Sequence, residues 1–293
     1  MYQYTDFDKQ FVKLRAQQFR DQLERWQRGE LSDEQMLPLR LQNGWYIQRY
    51  APMARIAVPY GEISSLQLRT LGRIAREYDQ PSPELLAHAQ ATQDALEASQ
   101  PGATLAAAPL KYGYGHFSTR TNCQFNWIPI TKAADVMDLL ASVHMHGIQT
   151  SGNDIRNITC DALEGIAEDG IVDCRPFAEI TRQWSSLHPE FSYLPRKFKI
   201  AFNGALEDRA AIGWYDIGLQ ALKNDAGEVG FTVKVGGGMG RTPIIGTTVR
   251  EFLPWAELLN YIEAIIRVYN GYGRRDNKWK ARIKILVKSE GQA

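Results

Sequence analysis

Four separated segments set cations beside small or amide-bearing neighbours: Arg55 in "MARIAVP", Arg120 in "STRTNCQ", Arg156 in "GNDIRNITC", and Lys197 with Lys199 in "YLPRKFKI". An arginine offers a rigid fork that grips carboxylate or phosphate oxygens at two points, whereas a lysine acts as a mobile point charge. A site using both would hold a polyanionic group and handle a small anion beside it. Extended backbone through "YLPRKFKI" puts Phe198, Ile200 and Phe202 on one side and Lys197, Lys199 and Ala201 on the other. The two ammonium groups then lie about 7 Å apart and repel unless they are solvated or face an anion. A solvated strand face gives the same pattern.

The neighbours are equally open to two readings. Ser118, Thr119, Asn122 and Gln124 add neutral donors around Arg120, as would any polar strand face. Asn153 and Asn157 flank Arg156 as ligands or as turn residues. Gly236, Gly237 and Gly238 in "VGGGMGRT" permit close backbone approach to an anion, or simply form a turn. That segment is neither GxGxxG nor followed by the Lys-Ser/Thr of a P-loop. His144 and His146, read as helical, are two apart and share no face, and no HExxH or Cys/His quartet accompanies them, so no metal site is expected in this chain. No serine sits in GxSxG and Cys123 has no recognisable histidine partner, which leaves acyl transfer without support.

Charge balance narrows the function classes. Lys and Arg total 34 against 33 Asp and Glu, a formal net charge of +1. A general polyanion binder carries a cationic excess over a whole face, so nucleic acid is not an expected partner and any basic site is local. Three scattered cysteines, Cys123, Cys160 and Cys174, form no CxxC pair and fit a reducing cytoplasm rather than a disulfide framework. The opening "MYQYTDFDKQF" lacks the apolar stretch of a signal peptide, and no apolar run reaches the roughly 20 residues of a membrane helix. A cytoplasmic location without a membrane partner is the expectation.

The elements that must position the cations follow from spacing. Phe7, Phe11, Leu14, Phe19, Leu23 and Trp26 predict a helix over 6–28 that stops at Gly29 and packs on something downstream. "WYIQRYAPMARIAVPYG" reads as one or two strands limited by Pro52 and Pro59. Ser64 is a cap for a helix with Leu68, Leu71, Ile74, Ala75 and Tyr78 on one face. The Ala-, Gln- and Pro-rich stretch over about 80–110 reads as a short surface helix between flexible joints. "YGHFSTRTNCQFNWIPI" reads as a strand, and Thr131 as the cap of a helix that Gly147 stops. A helix is expected from Pro176, a turn at "NDAG" (224–227), a long helix from about Pro254, and a closing strand in "RIKILV". Helices interleave with hairpins and proline-limited edges, which predicts an α+β fold rather than a purely parallel sheet.

Taken in order, "RLQNGWYIQRYAPMARIAVPYG", "GHFSTRTNCQFNW", "QTSGNDIRNITC", "YLPRKFKIAFNG" and "VKVGGGMGRTP" resemble successive segments of the siroheme-dependent sulfite and nitrite reductases, the sulfite reductase hemoprotein (beta component) family. The resemblance spans nearly the whole chain and matches the N-terminal half of the family. It implies an oxidoreductase that reduces sulfite to sulfide, or nitrite to ammonia, by six electrons on siroheme bridged to a [4Fe-4S] cluster. It implies that Arg55, Arg156, Lys197 and Lys199 bind the substrate oxyanion and supply protons, two for each oxygen that leaves as water. Ser118, Thr119, Arg120 and Gln124 match the segment that grips siroheme carboxylates, and Asn153 matches the asparagine before the substrate arginine. The same cations suit sulfite and nitrite alike.

The resemblance also implies an organisation and a gap. Residues 1–45 would be a helical extension, 46–130 a ferredoxin-like half-domain interrupted by the 80–110 insertion, and 131–293 a mixed α/β siroheme-binding lobe, the first of two copies. The family's cluster ligands, Cys-x5-Cys and later Cys-x3-Cys, are absent, since Cys123, Cys160 and Cys174 are spaced far too widely. The expected partners are therefore a C-terminal half carrying those cysteines and an electron donor, a flavoprotein or a ferredoxin. By itself the chain is expected not to turn over; the alternatives are a non-catalytic siroheme- or anion-binding module and an inactive truncated remnant.

Overall fold

Thr5 opens the first helix with a reciprocal cap: its hydroxyl accepts from the Asp8 amide at 3.2 Å, and the Asp8 carboxylate accepts from the Thr5 amide at 2.8 Å. Helix α1 (Asp6–Gln27) follows, and Gly29 just beyond it takes the left-handed φ of +78° that ends it. This computed structural model describes residues 2–47, 52–102 and 112–291. The chain divides into two units, the first comprising residues 1–56, 63–118 and 123–147 and the second residues 57–62, 119–122 and 148–293.

In the first unit, α1 packs against a later helix, α5 (Ala133–Ser142), burying Val12, Ala16, Phe19 and Leu23, whereas Phe7 and Leu14 of the expected apolar set are exposed, and Arg20 reaches across to Asp135 at 2.9 Å and Asp138 at 2.5 Å. Helix α2 (Asp33–Gln42) goes beyond the sequence expectation. A Ser32–Gln35 capping box starts it, but an internal Pro38 and one buried residue, Met36, leave it almost no periodic signal. Strands β1 (Trp45–Ile47) and β2 (Pro52–Ile56) pair antiparallel, and the expected strand residues 48–51 between them lie outside the described residues. Helix α3 (Ser65–Glu77) is capped by Ser64 and buries Leu71, Ile74 and Ala75, while Leu68 points outward. Helix α4 (Pro83–Ser99) buries no residue, as a surface helix should; positions 103–111 of the insertion lie outside the described residues.

Three expectations are corrected here. "YGHFSTRTNCQFNWIPI" is not one strand: β3 (His116–Phe117) and β4 (Cys123–Phe125) pair antiparallel across a turn in which Thr121 holds φ +56°. The sheet order is β1-β2-β4-β3. Thr131 caps nothing, because the Lys132 amide already bonds Pro129 O at 2.9 Å and closes a tighter turn ahead of α5. Nor does Gly147 stop that helix, which ends at Ser142; His144, at φ +63°, and His146 therefore follow the helix rather than ride on it. A Cβ on Gly147 would collide with the carbonyls of Asn43 and Arg55, so close backbone approach explains the glycine.

The second unit is a mixed sheet with helices packed on it. Strand β5 (Ile200–Asn203) runs parallel to β6 (Ile217–Lys223), which pairs antiparallel with β7 (Val229–Val235), itself antiparallel to β8 (Thr247–Pro254). The turn at 224–227 forms with Gly227 at φ +78°. Helix α6 (Arg175–Ser185) carries Pro176 in its first turn, and α7 (Leu258–Tyr272) buries Leu258, Ile262, Ile266 and Tyr269. Phe198, Ile200 and Phe202 enter the core as the alternation predicts, but Ala201 is equally buried, so β5 has no solvated face. "RIKILV" is helical: α8 (Ile283–Glu290) sets Ile283, Leu286 and Val287 at i, i+3 and i+4 against the core, and that spacing prevails over the alternation that reads as a strand. The combination of antiparallel and mixed sheets with packed helices is an α+β fold.

Glycines give a paired stability test. Gly147→Ala should cost about 1–3 kcal/mol through forced backbone movement. Gly271 lies in α7 with open space where a Cβ would sit and no left-handed φ. Its replacement by Ala should gain about 0.4–1 kcal/mol. Urea unfolding of the two variants reads both signs.

Candidate functional site

Each unit places its own cations. In the first, the register of β2 and β4 sets Arg55 opposite Gln124, and Arg55 Nε donates to Gln124 Oε1 at 2.9 Å. Gln124 in turn donates to Asn126 Oδ1 at 3.0 Å, so the guanidinium is oriented by a short amide chain. Ser118 stands half-buried in the β3–β4 turn.

The second unit gathers the larger set. Arg120 donates through Nη2 to Asn157 O at 2.5 Å and through Nη1 to Thr159 Oγ1 at 3.3 Å, and its guanidinium carbon lies 4.8 Å from the centroid of the Tyr215 ring. Asn157, which sequence reading leaves open between ligand and turn residue, is a buried hub: its Nδ2 lies 3.1 Å from Asn122 Oδ1 and 3.3 Å from the carbonyls of Val58 and Arg120. Thr119, beside Arg120, is exposed. Asn153 is also exposed, and its carbonyl accepts from the Leu194 amide at 2.8 Å.

Arg156 turns inward. Its Nη1 and Nη2 donate to Thr150 O at 2.8 Å and Gly152 O at 2.7 Å, and its Nε lies 3.1 Å from Asp154 Oδ1. Burial pushes the Asp154 carboxyl up to about 7 even against this arginine. The guanidinium thus organises its own loop.

Lys199 is strongly perturbed. Burial first, then Arg120 and Arg282, and lastly Lys197 lower its pKa to about 7, while Asp216 opposes them. Its backbone amide donates to Asp216 Oδ2 at 2.8 Å, yet its ammonium makes no hydrogen bond or ion pair among the described residues. Arg120, Arg282 and Lys199 therefore interact with one carboxylate, Asp216, which has no exposure, and Lys197 acts on Lys199. Such a set is complementary to a small oxyanion or a substituent carboxylate, and it holds a proton donor poised near neutrality.

Sequence reading missed Asp216, Tyr215 and Arg282. The available signal was a lone acid in the apolar run "WYDIGLQAL", since a carboxylate inside a core strand implies a buried cation. The glycines of "VGGGMGRT" resolve in favour of internal packing: a Cβ on Gly237 would strike Gly213 O and Tyr215 O, and one on Gly236 would press on Val287. Their close backbone approach is to the chain itself.

Comparison with known proteins follows the same lines. Residues 151–292 match the family model described as the nitrite and sulphite reductase 4Fe-4S domain. Over those residues the chain is similar to the nitrite and sulfite reductases. Its relatives include sulfite reductase [ferredoxin] 1 of Mycolicibacterium paratuberculosis, 30% identical over 174 residues covering 59% of this chain and 31% of that protein. The assimilatory ferredoxin-dependent nitrite reductase of Haloferax mediterranei is 27% identical over 244 residues, covering 82% of this chain and 38% of the relative. The structure of Mycobacterium tuberculosis NirA superposes with a TM-score of 0.74 at 22% identity, covering 97% of this chain and 50% of that one, a likeness of fold. The chain spans about a third of the length of these curated relatives.

The family implies two cofactors, and the residues here suit them unequally. A [4Fe-4S] cluster needs thiolates. Cys123, Cys160 and Cys174 are all buried; burial pushes the Cys123 thiol up to about 12 and raises the other two as well. No group of three His, Cys, Asp or Glu residues that could hold a metal occurs among the described residues. This chain's residues do not fit a cluster. The carboxylates of siroheme call for cations instead, and Arg120, Lys197, Lys199 and Arg282 supply charge of that sign. No helix among the described residues is long and apolar enough to cross a membrane.

The Lys199 titration is directly testable. By NMR of labelled lysines, its ammonium should titrate near pH 7, Arg120→Met should raise the midpoint, and Asp216→Asn should lower it. Because the folded-state pKa lies below the free-lysine value of about 10.4, the unfolded chain binds the extra proton between those values. This group's contribution to stability should therefore increase as pH rises from about 7 towards 10.

Proposed function

We propose that this chain supplies the cationic substrate site and the siroheme contacts of a reductase that converts sulfite to sulfide, or nitrite to ammonia, by six electrons. The carrying observation is Lys199: a half-buried ammonium with no ion-pair partner among the described residues, surrounded by Arg120, Arg282 and Lys197, with a pKa near 7. Similarity to the nitrite and sulfite reductases supports the substrate class.

In this reading Arg55, Arg156, Lys197 and Lys199 are the substrate cations, and Ser118, Thr119, Arg120, Gln124 and Asn153 are the siroheme contacts. Siroheme, when bound, supplies the iron and the path for electrons. The chain's residues bind, orient and protonate. Positive charge at Lys197 and Lys199 draws the oxyanion in and favours negative charge on its oxygens. Lys199, half-protonated near neutrality, passes protons from Nζ to departing oxygens and recovers them from solvent with little driving force in either direction. Arg156 is held by its bonds to Thr150 O and Gly152 O, and the second N–H on each of those nitrogens is the donor it would offer an anion. The Arg120 fork, steadied by Asn157 O and the Tyr215 ring, is suited to a carboxylate that stays bound throughout.

The cluster ligands would come from a cysteine-bearing C-terminal half, and the electrons from a flavoprotein or a ferredoxin, the donor for which the relatives above are named. The cytoplasm is the proposed location. A second reading, a non-catalytic siroheme- or anion-binding module, draws support from the buried, thiol-form cysteines and the absence of a cluster-holding group among the described residues.

The test is the visible spectrum of the protein produced together with a siroheme supply. A tetrapyrrole spectrum is expected, lost in Arg120→Ala; in Lys199→Met the colour should persist while sulfite or nitrite binds about ten- to a hundredfold more weakly. Turnover only after addition of a cysteine-bearing half supports the reductase reading, and a coloured protein that no such half activates supports the module. A folded protein that stays colourless both alone and with such a half overturns both.

A further inference from the structure

The segment "ARIKIL" follows α7 and leads into the chain's last described helix, and the function above gives it no role beyond the charge of Arg282. Its backbone is fastened first: Tyr269, fully buried in α7, donates its hydroxyl to Ala281 O at 2.7 Å. From that fixed point Arg282 projects onto Asp216. Nε lies 3.1 Å from Oδ1, and Nη2 lies 2.8 Å from both carboxylate oxygens. Two residues on, Lys284 directs its ammonium at the carbonyls of Thr242 at 2.6 Å, Met239 at 3.1 Å and Gly238 at 3.4 Å.

Asp216 is where these bonds meet the cation site. Its Oδ2 accepts the Lys199 amide at 2.8 Å, and its own carbonyl accepts the Gly236 amide at 3.0 Å. Tyr215, which carries the ring under Arg120, is its chain neighbour. We propose that Arg282 is a positioning residue for the cation site: by gripping Asp216 it fixes the backbone of Lys199 and divides the Asp216 charge between itself and Lys199, while Lys284 holds the adjoining glycine loop. The role matters for catalysis only under the function proposed above, but the geometry is a property of this chain alone.

The chemistry explains why the pair is ionic. A neutral side chain at 282 would leave a buried carboxylate whose nearest cation is Lys199, and the two would close into an ion pair. Lys199 would then be held as a permanent cation and lose its exchangeable proton. With Arg282 present, the carboxylate is already satisfied by a fork that never deprotonates. The charges facing Lys199 are then Asp216 against Arg120, Arg282 and Lys197.

The test is made on the full chain, with no cofactor, by NMR titration of lysine ammonium groups and by amide hydrogen exchange. Arg282→Gln should raise the Lys199 midpoint by about one pH unit or more, and Arg282→Lys should restore part of the difference. If Arg282→Gln does not fold, the double variant Asp216→Asn, Arg282→Gln removes both buried charges and carries the test. Its Lys199 amide, having lost its carboxylate acceptor, should exchange at least about tenfold faster, a loss of about 1.4 kcal/mol of local protection. Lys284→Met should likewise speed exchange at Gly238 and Ile244, whose amides bond each other's carbonyls. A purely structural role predicts lower melting temperatures with the Lys199 midpoint and Lys199 amide exchange unchanged, and that result overturns the proposal. A colourless protein in the siroheme experiment would defeat the functional reading while leaving these two measurements to decide this one.

Discussion

A carboxylate with no access to water, Asp216, is the constraint around which the second unit is arranged. A buried charge of this kind is tolerated only with a partner of good geometry and with its remaining lone pairs filled. Arg282 provides the fork, and the Lys199 amide takes the remaining direction. These two partners fix the start of β6, the approach to β5 and the beginning of α8 relative to one another. The glycine loop follows from the same point, through the Gly236 amide on the Asp216 carbonyl and the Lys284 ammonium on three loop carbonyls. An apolar residue at 216 would leave Arg282 and the Lys199 amide without this acceptor.

The cations have opposite tasks, and their surroundings reflect that. Arg120 has its donors directed at a carbonyl and a hydroxyl and its face on an aromatic ring, so its position is determined before any anion arrives. Arg156 is spent on its own loop. Lys199 has a fixed backbone and an ammonium with no partner among the described residues, and its depressed pKa comes from partial burial among like charges. Preorganised forks suit a group that stays bound, and a labile ammonium suits one whose protonation changes.

Much of this is legible along the chain. The core positions of Phe198, Ile200 and Phe202, the cap at Ser64 and the stop at Gly29 are local patterns, and each appears where its spacing puts it. Where sequence reading fails, packing prevails over pattern. "RIKILV" alternates as a strand does but folds as a helix because Ile283, Leu286 and Val287 meet the core on one face. The turn at Thr121 divides an apparently continuous strand, and Lys132 closes a tight turn that denies Thr131 its cap.

The sequence by itself determined the likeness to the nitrite and sulfite reductases, the α+β class and the wide spacing of the three cysteines, because those depend on residue types, order and spacing along the chain. Tertiary structure alone decided which charges act together. Lys199 lies 17 residues from Asp216, and Arg282 lies 66 from it, separations over which no helical or strand periodicity operates. Only the pairing of β5 with β6 and the docking of α8 bring the three into contact. The proton affinity of Lys199 is therefore a property of that packing: the same lysine in an unfolded chain would titrate near 10.4, and burial among Arg120, Arg282 and Lys197 brings it to about 7.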